Sequence, residues 1–227
     1  MTKRSVDRYD IEARYVPALI CSVPFFFFSY YFLNDLDGAF WESALMLTVG
    51  SIGLPTALYF VAIHFCTALG KIIENNWFRN GLTLPTTEFL LDKDTNLSLE
   101  RKDALKRKIK LRFNIKLQSV IDDTDQNRRL IHESIGQVRS GFYRKNHLVQ
   151  QRNIRYGMTR NLLSGSLVAV ILSGAGYVLS NVAGNAASQV ALALLIIYCI
   201  LAGLSAALLN STARQYAHTL FDEFLAK

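Results

Sequence analysis

The chain has 227 residues, 51% of them hydrophobic and only 19% charged, with a formal net charge of +7. A soluble domain carries about a quarter of its residues as charged ones, so the deficit argues against a wholly water-solvated fold and points to lipid. Cys21, Cys66 and Cys199 each sit alone in or beside an apolar run, with no CxxC pair and no histidine at ligand spacing. That pattern argues against a disulfide frame or a metal site and suits small buried hydrophobes.

Residues 1–14 hold four Lys/Arg and three Asp/Glu, and the first uncharged run, 16–33, follows them. At about 1.5 Å per residue it is close to the thickness of a bilayer's hydrocarbon core. A cleaved signal peptide is the competing reading, but the run ends in Asn34-Asp35-Leu36-Asp37 instead of a small-residue cleavage site. Pro17 is expected in the first turn of this helix, where a missing N–H costs little, and Pro24 inside it. A second run, 43–69, is longer than a span needs. Two more runs follow late in the chain, 162–179 and 190–209, and residues 161–209 carry no formal charge. Short turns, 34–42 and 180–189, join each pair, so the chain reads as two helical hairpins.

Neither turn contains a Lys or Arg, and all twenty-five lie in the other segments. By the positive-inside rule both termini and the middle of the chain are then cytoplasmic. The predicted fold is an all-α integral membrane protein of four spans with a small, mainly helical cytoplasmic domain. Its parts are an N-terminal segment and first hairpin at 1–69, a basic domain at 70–160, and a second hairpin with a cytoplasmic tail at 161–227. Ala169 with Ser173, and Gly203 with Ala207, are small-xxx-small pairs that let helix backbones approach. No Asp, Glu, Lys or Arg falls within a span, which argues against an ion-coupled pump and leaves a passive pore open. His64 reads as an interfacial residue, not a proton carrier.

The middle segment holds nineteen Lys/Arg against ten Asp/Glu. Trp77-Phe78 suits the headgroup boundary, residues 81–85 break the helix, and Thr86-Thr87-Glu88 starts another. Leu105, Ile109 and Phe113 share a helical face, although 108–117 also alternates as a strand would. A helix through Arg112 followed by a short extended piece is the preferred reading. Residues 123–141 predict a helix capped by Asp123 or Thr124, with Leu130, Ile131, Ser134, Ile135 and Val138 as its apolar stripe. A last helix, 146–161, is expected to run into the third span. Cations with aromatics among them suit a nucleotide or oligonucleotide; attraction to anionic lipid, or positive-inside topology alone, is the competing reading, and a protein partner is the third. No catalytic motif is present, so no enzyme, cofactor or metal is expected.

Leu84-Pro85-Thr86-Thr87-Glu88-Phe89-Leu90, the segment Asn153-Ile154-Arg155-Tyr156-Gly157-Met158-Thr159-Arg160-Asn161-Leu162, and Tyr9-Asp10-Ile11-Glu12-Ala13-Arg14 carry a resemblance. In these motifs and in overall arrangement the chain resembles the Hailong-type family of bacterial four-span antiphage-defence effectors, which accompany nucleotidyltransferases. The resemblance implies a homo-oligomeric ion channel of the inner membrane, here taken as a tetramer, that acts by abortive infection. Its cytoplasmic part would sense a nucleotide product, a short DNA oligomer that keeps the pore shut. On that reading Arg128, Arg129, Arg139, Arg144 and Lys145 are the candidate phosphate contacts. Pro85, Thr86 and Thr87 would fix the exit from the second span. Tyr156, Gly157, Arg160 and Asn161 would form the hinge into the third, with Arg160 either gating or anchored at the headgroups. A non-conducting membrane anchor that recruits a soluble partner is the alternative.

Overall fold

The computed structural model describes residues 7–34, 54–118, 121–142, 146–182 and 187–226, and among these the only regular structure is helix. A turn at Arg8–Asp10 leads through a π-helical stretch, Ile11–Tyr15, into α1 (Val16–Asn34). Then come α2 (Leu54–Trp77), the short α3 (Pro85–Glu88), α4 (Leu99–Phe113), α5 (Asp125–Phe142), α6 (His147–Val182) and α7 (Ala187–Ala226). Among the described residues four segments are long and apolar enough to cross a membrane: Arg8–Phe28, Thr56–Trp77, His147–Val182 and Ala187–Ala226. Most of the 34–42 turn, residues 43–53 of the second run, positions 183–186, and both Arg144 and Lys145 lie outside the described residues.

Two helices exceed their expected lengths. The segment read as a cytoplasmic tail continues α7 as helix to Ala226. Helical structure also begins at Arg8, so Pro17 is not in a first turn. A proline inside a helix lacks an N–H for the carbonyl four residues back and crowds it. The π-helical stretch before Pro17, in which the Val16 N–H bonds the Ile11 carbonyl, absorbs that misfit.

The chain divides into two units. The first takes its residues from Met1–Lys71 and Gly157–Ala207. Here α6 is the hub, and its glycines decide which neighbours come close. A Cβ on Gly157 would meet Tyr9 Oη at 2.8 Å and Ala13 Cβ at 3.2 Å; one on Gly165 would meet Cys21 Sγ at 2.7 Å; one on Gly176 would strike the Phe28 ring at 2.1 Å. These contacts advance together along both helices, so α1 and α6 run parallel. The contacts of α2 run the other way, with Gly70 against Asn161 and Cys66 beside Gly165. Cys21, Ala169 and Tyr198 form a small apolar cluster that brings in α7.

Ala169 and Ser173 are fully buried, as their pairing requires. Gly203 and Ala207 are exposed, and nothing lies within 4 Å of a Cβ built on Gly203.

The second unit takes Ile72–Tyr156 and Leu208–Lys227. Its core joins Phe89, Leu90 and Leu91 after α3, Leu105 and Ile109 of α4, Ile131, Ile135 and Val138 of α5, and Leu220, Phe221 and Phe224 of α7. Leu130, expected in the α5 stripe, faces outward. Phe78 is buried while Trp77 is half exposed, so the two do not act as a pair at an interface. Thr124 Oγ1 caps α5 by accepting from the Asn127 N–H at 3.2 Å. Helix α4 runs through Phe113 and stops where Asn114 takes a left-handed conformation, φ 56°. Residues 114–118 form no regular element, so the alternating pattern makes no strand. Lys102, almost wholly buried, donates to the Leu91 carbonyl at 2.6 Å and to the Asp94 carbonyl. That amine closes the 91–94 loop.

Candidate functional site

In the second unit, α2 ends at Trp77 and the chain turns through Arg79 and Asn80, both at positive φ, and Gly81 at φ 87°. A Cβ on Gly81 would lie 2.4 Å from the His132 ring, so a left-handed backbone and a close contact both call for glycine there. The turn delivers Leu84-Pro85 to the start of α3, with Pro85 at the first helical position where its missing N–H is harmless. Pro85, Thr86 and Thr87 are all buried. Thr87 Oγ1 donates to the Gly81 carbonyl at 3.0 Å, which ties the short helix back to its own turn.

Thr86 instead faces α5. Its Oγ1 accepts from Arg139 Nη2 at 3.0 Å, and the Arg139 guanidinium lies 5.9 Å from the Tyr216 ring centre. Tyr156 also stacks on Tyr216, 6.4 Å away and nearly parallel, and donates to Glu74 Oε1 at 2.5 Å. Thr86, Arg139 and Tyr156, chosen for two different roles, are thus brought into one network. Burial, and then the charge of Arg139, pull the His132 imidazole below its usual range.

Arg128 is not the surface cation expected. It is 5% exposed. Its Nε donates to Asp123 Oδ1 at 2.5 Å and its Nη1 to the Leu82 carbonyl at 2.6 Å, with Glu88 at 3.8 Å. Arg128 first and Lys93 second hold the Asp123 carboxyl down to about 2. A guanidinium filled this way fastens α5 to the turn before α3 and has little left for a phosphate. Arg129 is exposed and lines a cleft of about 620 Å³, but Asp125 and Glu133 line it too.

In the first unit Gly157 lies inside an unbroken helix and is buried, so its visible role is close packing on Tyr9 and Ala13. Asn161, one turn on, donates Nδ2–H to the Ala13 carbonyl at 2.6 Å, while its Oδ1 accepts from Arg160 Nε at 3.3 Å. Ser164 Oγ donates to the Cys66 carbonyl at 2.8 Å. Arg160 is buried, with its Cγ 3.5 Å from a Cβ built on Gly70. His64 is exposed. The same unit holds an apolar crevice of about 150 Å³, lined by Cys21, Phe25, Phe65 and Cys66 among others.

The cations passed over in the sequence are on α4 and just beyond it. Arg107, Lys110 and Lys116 are exposed and line a cleft of about 500 Å³. The signal is the basic run 106–116, whose spacing alone does not show where its bases converge. Comparison of the chain with protein-family models, curated proteins and solved structures finds no match.

Proposed function

We propose that this chain is the subunit of a homo-oligomeric, ligand-gated membrane channel that acts as a toxic effector in bacterial antiphage defence. In this reading two helical hairpins cross the inner membrane, both termini are cytoplasmic, and the second unit is the cytoplasmic sensor. Four subunits surround the pore, and a nucleotidyltransferase supplies a nucleotide or short DNA oligomer that holds it closed.

One observation carries the reading. Helices α6 and α7 each belong in part to the apolar unit and in part to the unit with the polar network, and neither is interrupted where the units divide. In this reading, ligand binding in the second unit acts on segments, 147–156 and 208–226, that continue as helix into the spans. The parallel course of α1 and α6, with α2 running back, supports the two-hairpin topology. The spans offer no fixed charge for ion coupling, which suits a passive pore better than a pump.

Expression in bacteria without any nucleotidyltransferase tests the reading, with a voltage-sensitive dye as readout. A channel that lacks its closing ligand collapses the membrane potential within the induction period. An anchor that only recruits a partner leaves the potential intact, and that result would replace the channel reading with the second one.

A further inference from the structure

We propose that the cleft bounded by Arg107, Lys110 and Lys116 binds a phosphate-bearing ligand. The proposal deepens the ligand-gated reading and takes its functional meaning from it.

The site is built by α4 and its C-terminal turn. Glu100, Asp103, Arg107 and Lys110 follow one another at three- and four-residue spacings, which places them along one face. The opposite face, Leu105 and Ile109, is buried in the core and fixes the helix's rotation. Asn114 then reverses the chain through its left-handed backbone, and Leu117 is buried in the same core. Anchored on either side, the chain brings Lys116 to the cleft that Arg107 and Lys110 line.

These three cations differ from Arg128, Arg139 and Lys106. Arg128 is filled by Asp123 and Leu82, Arg139 by Thr86 and Tyr216, and Lys106, in the same cleft, pairs with Asp92 at 3.2 Å. The side chains of Arg107, Lys110 and Lys116 make no hydrogen bond, ion pair or ring contact among the described residues. Unpaired like charges around one concavity repel one another, and a bound anion relieves that repulsion. The volume of about 500 Å³ lies within the range of small-ligand sites. Glu100 and Asp103, earlier on the same face of α4, line the cleft too. They limit how far a polyanion extends along it and offer acceptors to amino groups, so the ligand is short. A soluble oligonucleotide and an anionic lipid headgroup both present this chemistry.

The test uses the full chain in detergent and two probes, fluorescein-labelled hexathymidylate and dihexanoyl phosphatidylglycerol. Binding of at least one probe should weaken about tenfold or more in R107E/K110E. The logarithmic salt dependence of hexathymidylate binding should fall by about 1.4, as loss of two phosphate contacts to a single strand requires. R129E should stay within about twofold, since its cleft is already balanced by Asp125 and Glu133. R107Q/K110Q, checked for unchanged helicity by circular dichroism, separates lost charge from lost fold. Loss of hexathymidylate binding alone identifies a soluble ligand, and loss of the lipid alone identifies a headgroup. The proposal is overturned if neither probe binds, if R107E/K110E leaves both affinities unchanged, or if R129E costs as much as the double variant. Binding that responds as expected in a protein that never conducts would leave the cleft standing and remove the channel reading.

Discussion

The side-chain amide of Asn161 donates to the Ala13 carbonyl, the group that Pro17 leaves without an α-helical donor. Seven residues on, the pattern repeats: Pro24 offers no N–H to the Ile20 carbonyl, and Tyr198 Oη donates to it at 2.5 Å. A carbonyl that has lost its helical donor and is shielded from water is costly unless another donor reaches it, and each proline on α1 is answered by a side chain from another helix. The prolines thus turn one face of α1 into acceptors that select α6 and α7 as neighbours.

This relationship predicts non-additive effects. Asn161→Leu should destabilise the protein by about 1–2 kcal/mol, the range for a hydrogen bond inside a membrane protein. In a Pro17→Ala background the restored N–H serves Ala13, and the cost of Asn161→Leu should shrink by about half or more. Unfolding in a denaturing detergent gives all four corners of the cycle. Equal costs in both backgrounds would show that Asn161 acts through some other contact.

Gly157 gives a second prediction. Its absent Cβ makes room for Tyr9 Oη and Ala13 Cβ, so Gly157→Ala should cost about 1–3 kcal/mol by overpacking. Tyr9→Phe removes the nearest atom and should recover part of that loss. A glycine kept only for backbone flexibility would show no coupling to position 9.

Arg128 and Arg129 adjoin in sequence and separate in consequence. Arg128→Gln strips the partner from Asp123 and the donor from the Leu82 carbonyl, and should cost about 2 kcal/mol of the second unit's stability. Arg129→Gln should fall within about 0.5 kcal/mol of wild type, as exposed substitutions usually do. Thermal melting followed by circular dichroism distinguishes them. Equal effects would contradict the buried placement of Arg128.

Asp123 carries the pH dependence. Its folded-state pKa, about 2, lies below the ordinary value of 3.8, so the unfolded chain binds the proton more readily. The resulting stabilisation is fully present above about pH 4 and is lost as pH falls through about 2. The difference in melting temperature between wild type and Asp123→Asn should therefore be constant from pH 7 to about 5 and close below that. A gap that persists at pH 2 would assign the stabilisation to something other than the carboxylate.

The four long apolar helices were legible because composition alone separates them. Helix α5 was legible because Ile131, Ser134, Ile135 and Val138 keep one stripe, all buried. The engagement of Arg128 was not, since its partners are an acid five residues away and a carbonyl forty-six residues away. Nor could spacing distinguish Gly157 and Gly165, which other helices press upon, from Gly203, which meets nothing. The tail read into residues 210–227 shows the same limit. Tyr216, Leu220, Phe221 and Phe224 keep a helical spacing, but the four charges of 210–227 hid a core segment.

Single-channel recording of the purified protein in planar lipid bilayers tests the central claim most directly. Unit conductance steps, suppressed when hexathymidylate is perfused on one side only, are the predicted result. Electrical silence at every ligand condition, from protein shown to have inserted, would contradict it.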